Sequence, residues 1–212
     1  LDVNKNPALE ALYASTFNLK LKPILLGESI NLNKIEKMVK LPSQLVPTIT
    51  TSLSDGLNIN GENIISTQSG TQKYKVNSQL RYDDYTEIYE IEVVDVKSNI
   101  YNVDKSSDYI DIGVSTYEES INNIEVINGD KKLEDDYLVI SNNNIEVKRF
   151  KLISLKSSKY NLDNDYIYVG NDTDENIISN IETNANVNIV DNNLVISYGD
   201  NYSNSYKLIR HN

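Results

Sequence analysis

Tyr109-Ile110-Asp111-Ile112-Gly113 and Tyr166-Ile167-Tyr168-Val169-Gly170 are one apolar word written twice, and they belong to a longer duplication. Around the first copy stand Tyr101, Ile121-Asn122-Asn123-Ile124-Glu125, Tyr137-Leu138-Val139-Ile140-Ser141 and Phe150-Lys151-Leu152-Ile153-Ser154. Around the second stand Tyr160, Ile178-Ser179-Asn180-Ile181-Glu182, Asn193-Leu194-Val195-Ile196-Ser197 and Tyr206-Lys207-Leu208-Ile209-Arg210. Matching words lie 59, 57 or 56 positions apart, the drift expected of small loop deletions between intact apolar segments. Such self-similarity marks an array of like units. The copies cover residues 97–154 and 155–212.

Each copy reads as strand, strand, short helix and three further strands. The helix is expected over Glu118–Asn123 and again over Asp174–Asn180, with Thr173 or Asp174 as the second cap and Glu175 favourable in its first turn. Ile121 and Ile124, matched by Ile178 and Ile181, stand three apart and are expected to pack on the sheet. Asn128-Gly129-Asp130, Asn142-Asn143-Asn144, Asp191-Asn192-Asn193 and Gly199-Asp200-Asn201 are turn signals, as are Asp83-Asp84 and Asp135-Asp136. A unit of under about 60 residues is marginal alone, so burial between neighbours should stabilise both copies.

Upstream, residues 22–96 read as a β domain. Leu32–Lys40 suggests a short amphipathic helix stopped by Pro42. Strand patterns follow at Pro47–Thr50, Leu57–Asn60, Asn63–Ser66 and Lys73–Val76, with Asn60-Gly61 as a hairpin turn. The longest alternating run is Tyr85–Val94, which places apolar side chains at 89, 91 and 93.

Residues 1–21 carry apolar positions at 1, 3, 9, 12, 14 and 19, with Asn6 at a bend. The words LDVNKNPALEALY and ASTFNL resemble the repeat unit of bacterial leucine-rich-repeat surface proteins. Phe17 stands where a second ladder Asn is expected, and a large apolar residue there would cover a solenoid's open end. The resemblance implies a last repeat or cap over 1–21, then an immunoglobulin-like β-sandwich over 22–96 as in internalin-type proteins, and then the two small β-rich modules, each with a short helix. The words Tyr166–Gly170 and Leu194–Tyr198 are similar to β-rich stalk modules of clostridial surface proteins. A bias toward Asn, which occurs 30 times, together with Lys and Ile, resembles that of low-GC Gram-positive genomes.

Composition narrows the function. The net charge is −11, with 31 acidic against 20 basic residues, which argues against nucleic acid as a partner because phosphates need a basic footprint. No cysteine occurs, which removes disulfides, thiolate metal sites and cysteine nucleophiles. No membrane-length apolar run is present. With 15 Tyr, 2 Phe and no Trp, tyrosine supplies most aromatic packing.

No residue of the sequence is assigned a catalytic, cofactor-binding or metal-ligating role. The single histidine, His211, is next to last. Asn171-Asp172-Thr173-Asp174-Glu175 offers Ca²⁺-type oxygens, but the first copy has Val114–Glu118 there, and a helix start accounts for Asp174. Tyr101, Tyr109, Tyr160, Tyr166, Tyr168 and Tyr198 are candidates for stacking on sugar rings. The resemblance also raises a Lys–Asn isopeptide bond, for which the sequence singles out no pair.

The reading is therefore of a mainly β, non-enzymatic, monomeric extracellular chain, a stalk for a leucine-rich-repeat adhesion array at the cell surface, with signal and anchor outside this stretch. Its partner is a protein or glycan of unknown identity, with no cofactor and no membrane insertion. The alternative is that the tandem modules themselves bind carbohydrate or protein.

Overall fold

A computed structural model describes residues 16–31, 46–80 and 83–211. The repeat unit expected over 1–21 lies outside the described residues up to position 15, as does the helix expected over 32–40. Among the described residues the chain is mainly β. The strands are β1 (Thr16–Lys20), β2 (Ile24–Leu25), β3 (Ser29–Asn31), β4 (Val46–Ser52), β5 (Leu57–Asn60), β6 (Asn63–Ser66), β7 (Gly70–Leu80) and β8 (Asp83–Lys97). The first copy adds β9 (Tyr109–Gly113), helix α1 (Tyr117–Asn122), β10 (Glu125–Ile127), β11 (Asp130–Glu134), β12 (Tyr137–Asn142) and β13 (Ile145–Lys156). The second adds β14 (Tyr166–Gly170), helix α2 (Asp174–Ser179), β15 (Glu182–Thr183), β16 (Asn186–Val190), β17 (Asn193–Tyr198) and β18 (Tyr202–Arg210).

Two compact units form. One comprises Leu1–Val96, Val126–Asp130 and Ile140–Lys148, the other Lys97–Glu125, Lys131–Val139 and Arg149–Asn212. In the first unit β8 is central, with β1 parallel on one side from Thr16↔Thr86 to Lys20↔Glu90 and β7 antiparallel on the other. A small sheet of order β3-β6-β5 completes it. The β5–β6 hairpin turns at Gly61 and Glu62, with only Gly61 at positive φ (59°), the type II′ pattern. Leu19, Leu57, Ile64, Tyr74, Val76, Tyr89, Ile91 and Val93 form the core. The period-2 reading of Tyr85–Val94 thus describes β8 well. Asp83-Asp84, read as a turn, instead opens β8 with Asp83 opposite Leu80, because the two long strands pair to their very ends.

The two copies repeat one strand order, β9-β13-β12-β11 in the first and β14-β18-β17-β16 in the second. β9 runs parallel to β13 and β14 runs parallel to β18, and both pairs shift register next to a glycine at positive φ, Gly113 (56°) and Gly170 (58°). Each copy has one strand before its helix and four after it, not two and three. Tyr101 and Tyr160 lie in turn-rich segments, where the hydroxyls of Ser98 and Ser157 accept backbone N–H bonds and hold the chain out of a sheet. The helices begin within one residue of expectation. Thr173 caps α2, and Thr116 caps α1 in a reciprocal capping box with Glu119.

The inward helix positions differ from those expected. Ser120 and Ile177 are buried, while Ile178 is exposed. The inward partner of Ile124 and Ile181 is the residue four before, because the cap sets the helical phase and (i, i+4) positions share a face.

Buried within the first unit, Tyr74 stacks on Tyr89 at 4.9 Å with rings 9° apart, and Tyr89 donates its hydroxyl proton to the buried Glu87 carboxylate. Among the described residues the Tyr74 hydroxyl has no hydrogen-bond partner. Burial first, and then the nearby Glu87 carboxylate, push its pKa far up. Removing an unsatisfied buried hydroxyl while keeping the stacked ring should stabilise the fold. Tyr74→Phe is expected to raise unfolding free energy by about 1 kcal/mol, read as a higher urea midpoint at unchanged m-value.

Candidate functional site

The site with the most structure built into it is the joint where one copy's last strand receives the next segment of chain. It begins in the burial pattern. Along β8 the buried positions are Glu87, Tyr89, Ile91 and Val93, and then Val94 and Val96. Along β13 they are Phe150 and Leu152, and then Ile153 and Leu155. Successive side chains of a strand face opposite ways, so each strand changes its buried face between adjacent residues. Beyond the change, Ile153 and Leu155 belong to the core of the second copy, with Tyr160, Ile167, Val169, Ile177, Leu194 and Leu208 among its members.

The backbone edge beyond the change is filled by strand addition. β15 pairs antiparallel with the end of β13, Leu155↔Thr183 and Lys156↔Glu182, and β10 pairs with β8. The side-chain bonds recur copy by copy. Lys97 meets Glu125 at 3.4 Å, and Lys156 meets Glu182 at 3.4 Å. Ser98 Oγ donates to the Asn123 carbonyl at 2.7 Å, and Ser157 Oγ to the Asn180 carbonyl at 2.7 Å.

An asparagine then locks each joint. Asn128 Nδ2 donates to Glu92 Oε2 (2.8 Å) and to the Val93 carbonyl (3.2 Å). Asn184 Nδ2 donates to Asp136 Oδ2 (2.8 Å) and the Leu152 carbonyl (2.7 Å), while its Oδ1 accepts from Ser154 N (3.0 Å). The Asn184 amide thus bonds β13 as a strand backbone would. Close approach matters at the first joint, where a Cβ on Gly129 would lie 2.7 Å from the Ser141 carbonyl and 2.9 Å from Val94 Cγ1.

At the second joint, charge and aromatic rings converge. Lys151 Nζ lies 2.5 Å from Asp136 Oδ2, with only 14% and 20% of the two side chains exposed. The ammonium sits 5.0 Å from the Tyr137 ring centroid and 5.4 Å from that of Tyr198, whose hydroxyls lie 3.2 Å apart. Burial alone would raise the Asp136 pKa, but bonds from Lys151 and Asn184 outweigh it and leave it lowered. Burial would lower that of Lys151, but Asp136 and the two tyrosines outweigh it and leave it raised. Lys, Asp and Asn thus meet here, the residue types of an isopeptide cross-link. Lys151 is paired with Asp136, and the Asn184 amide donates twice and accepts once, so both groups serve hydrogen bonds here.

The tyrosine candidates separate. Tyr160 is buried and donates to Asp172 Oδ2 at 2.5 Å, Tyr101 donates to Ser115 Oγ at 2.7 Å, and Tyr109 packs edge-on to Tyr202 at 4.9 Å. Tyr198 belongs to the joint. Tyr166 and Tyr168 are exposed (41% and 69%) on one face of β14, their rings edge-to-face at 5.3 Å, while Ile167 and Val169 are buried behind them. The acidic word at 171–175 is used internally. Asp172 holds Lys159 Nζ at 2.7 Å and the Tyr160 hydroxyl, Asp174 pairs with Arg210, and their neighbour Thr173 caps α2. His211 is exposed, and its backbone N–H donates to Gly170 O at 3.2 Å.

Sequence reasoning found the copies but not the joint residues Asp136, Lys151 and Asn184. The signal was present as Lys-Ser at 97–98 and 156–157, matched to Asn-Ile-Glu at 123–125 and 180–182. No family model matches this chain, and no curated protein sequence matches it. No helix among the described residues is long and apolar enough to cross a membrane.

Asn184→Ala is expected to cost about 2 kcal/mol, since it removes one of the two donors to the Asp136 carboxylate and the side-chain partners of the Leu152 carbonyl and the Ser154 N–H. Lys156→Ala should cost under about 0.5 kcal/mol, because both partners of that ion pair are over half exposed. Urea unfolding of the two variants checks the contrast. The Asp136 contribution is fully present above its unfolded pKa of 3.8 and is lost as pH falls through its lower folded value. The stability gap between wild type and Asp136→Asn should therefore hold near neutrality and close on acidification.

Proposed function

We propose that this chain is a non-enzymatic stalk of a Gram-positive cell-surface protein, carrying a leucine-rich-repeat adhesion array away from the wall. In this reading residues 1–21 are the array's last unit or cap, 22–96 an immunoglobulin-like domain and 97–212 two spacer modules. The observation that supports it most is the repeated joint: the same Lys–Glu pair, Ser–carbonyl bond and Asn lock at β8 and at β13. A spacer needs its strands held in register by directional bonds, and strand addition onto β8 and β13 supplies them. The acidic charge suits an exposed, soluble surface element.

The second reading is that the modules bind ligand themselves, and the exposed Tyr166–Tyr168 pair favours it. A tyrosine ring offers an apolar face to a sugar and a hydroxyl to its rim. Because the two rings stand 83° apart, they form a corner and not a flat platform.

Under the stalk reading, the coding sequence upstream of Leu1 carries further units like residues 1–21 behind an export signal. An upstream sequence without such units would overturn it. The fragment by itself is expected to bind no glycan on an array. Binding that disappears in Tyr168→Ala would establish the second reading in its place.

A further inference from the structure

Within the second unit, residues 98–115 and 157–172 build the same corner. Ser98 Oγ accepts from Ile100 N (3.1 Å) and Tyr101 N (3.2 Å), as Ser157 Oγ does from Lys159 N (3.2 Å) and Tyr160 N (3.0 Å). Ser115 N donates to the Ile112 carbonyl at 3.1 Å, and Asp172 N to that of Val169 at 3.1 Å. A tyrosine hydroxyl closes each corner, Tyr101 on Ser115 Oγ and Tyr160 on Asp172 Oδ2. Ile100 thus corresponds to Lys159, and Ser115 to Asp172.

The second corner holds a cation of its own. Lys159 Nζ lies 5.5 Å from the Tyr160 ring centroid and 2.7 Å from Asp172 Oδ2. In the first copy both charges are gone, and a cleft of about 430 Å³ lies beside Ile100, Tyr101 and Ser115. That size falls within the roughly 300–1,000 Å³ range of ligand sites. Ile112, Leu155 and Tyr206 line it as buried side chains, while Ile100 and Val114 are 64% and 69% exposed. Asp111 and Asp163 also line it, and no basic residue does. Asp111 accepts only from uncharged donors, Gly113 N (2.9 Å) and the Tyr202 hydroxyl (3.1 Å). Among the described residues neither carboxylate is paired with a cation.

We propose that this cleft binds an arginine side chain that a partner protein presents between two apolar residues. The first corner keeps the tyrosine that meets a cation in the second copy but lacks the lysine, which leaves the cation to come from outside. Guanidinium suits the place better than ammonium, because it is planar, weakly hydrated, stacks on aromatic faces and forks onto a carboxylate. The two apolar neighbours would cover Ile100 and Val114. A chain of net charge −11 also draws a basic partner from a distance. This inference rests on neither the stalk reading nor the Tyr166–Tyr168 pair.

The test is an NMR titration of the full chain with the peptide acetyl-Leu-Arg-Leu-amide, using acetyl-Leu-Gln-Leu-amide as control. Amide shifts should centre on residues 100–101, 111–115 and 162–163, and the control should bind about tenfold more weakly. Ile100→Lys/Ser115→Asp rebuilds the occupied corner of the second copy and should weaken the arginine peptide by about tenfold as well. Asp163→Asn, at an exposed position, should weaken it about threefold. Equal binding of the two peptides, shifts centred elsewhere, or full binding by a double variant with a folded spectrum would overturn the proposal. If the double variant does not fold, unchanged binding by Asp163→Asn overturns it alone. Shifts of the same residues that grow with protein concentration and without peptide would make the cleft a contact between copies of this chain, and would overturn it too.

Discussion

A strand that must satisfy two hydrophobic cores in succession governs this part of the molecule. At Leu152/Ile153 the buried face of β13 changes between neighbouring residues, and Ile153 and Leu155 then serve the core of the second copy. A module of under about 60 residues has too little interior to stand alone. Lending two apolar side chains and a backbone edge to the next unit gives both copies burial that neither has by itself. The neighbouring polar groups follow from that loan. Once β15 lies along the end of β13, the gap between it and the start of β12 needs a donor and an acceptor, and the Asn184 amide provides both.

The same logic sets the electrostatics. Asn184 brings an uncharged amide to Asp136, whose charge is balanced by Lys151, whose ammonium is in turn bracketed by the Tyr137 and Tyr198 rings. Asp136 and Tyr137 are neighbours, but Lys151, Asn184 and Tyr198 come from elsewhere in the sequence, and only the fold of the second unit makes them one network. By contrast, the exposed Lys156–Glu182 pair repeats faithfully from Lys97–Glu125 yet contributes little energy. Its recurrence indicates register more than strength.

The two copies also differ where they matter most. Position 136 is Asp and its counterpart Asn192; position 154 is Ser and its counterpart Arg210. In the first copy Asp136 accepts from Asn184, whereas in the second Asn192 donates to the Leu208 carbonyl of its own copy. Apolar words survive a duplication because the interior of each copy demands them, whereas edge residues are free to take different partners.

By itself the sequence determined that the chain is mainly β, that it holds two copies of one unit and where their helices lie, because the side-chain period of 2 and the cap-plus-acid pattern are local signals. It also marked the turns at Asn128, Asn143–Asn144 and Asp191–Asn192, all of which adopt positive φ, since asparagine and aspartate tolerate that region. Tertiary structure alone decided that Tyr101 and Tyr160 are not strand residues, that Ser120 and Ile177 face inward, and that Asp136, Lys151 and Asn184 meet. The first two outcomes turn on short-range bonds from Ser98, Ser157, Thr116 and Thr173 that an apolar period does not register, and the last on hydrogen bonds between residues tens of positions apart. The joint was visible only as two recurring words, Lys-Ser and Asn-Ile-Glu, until the pairing of β13 with β15 brought them together.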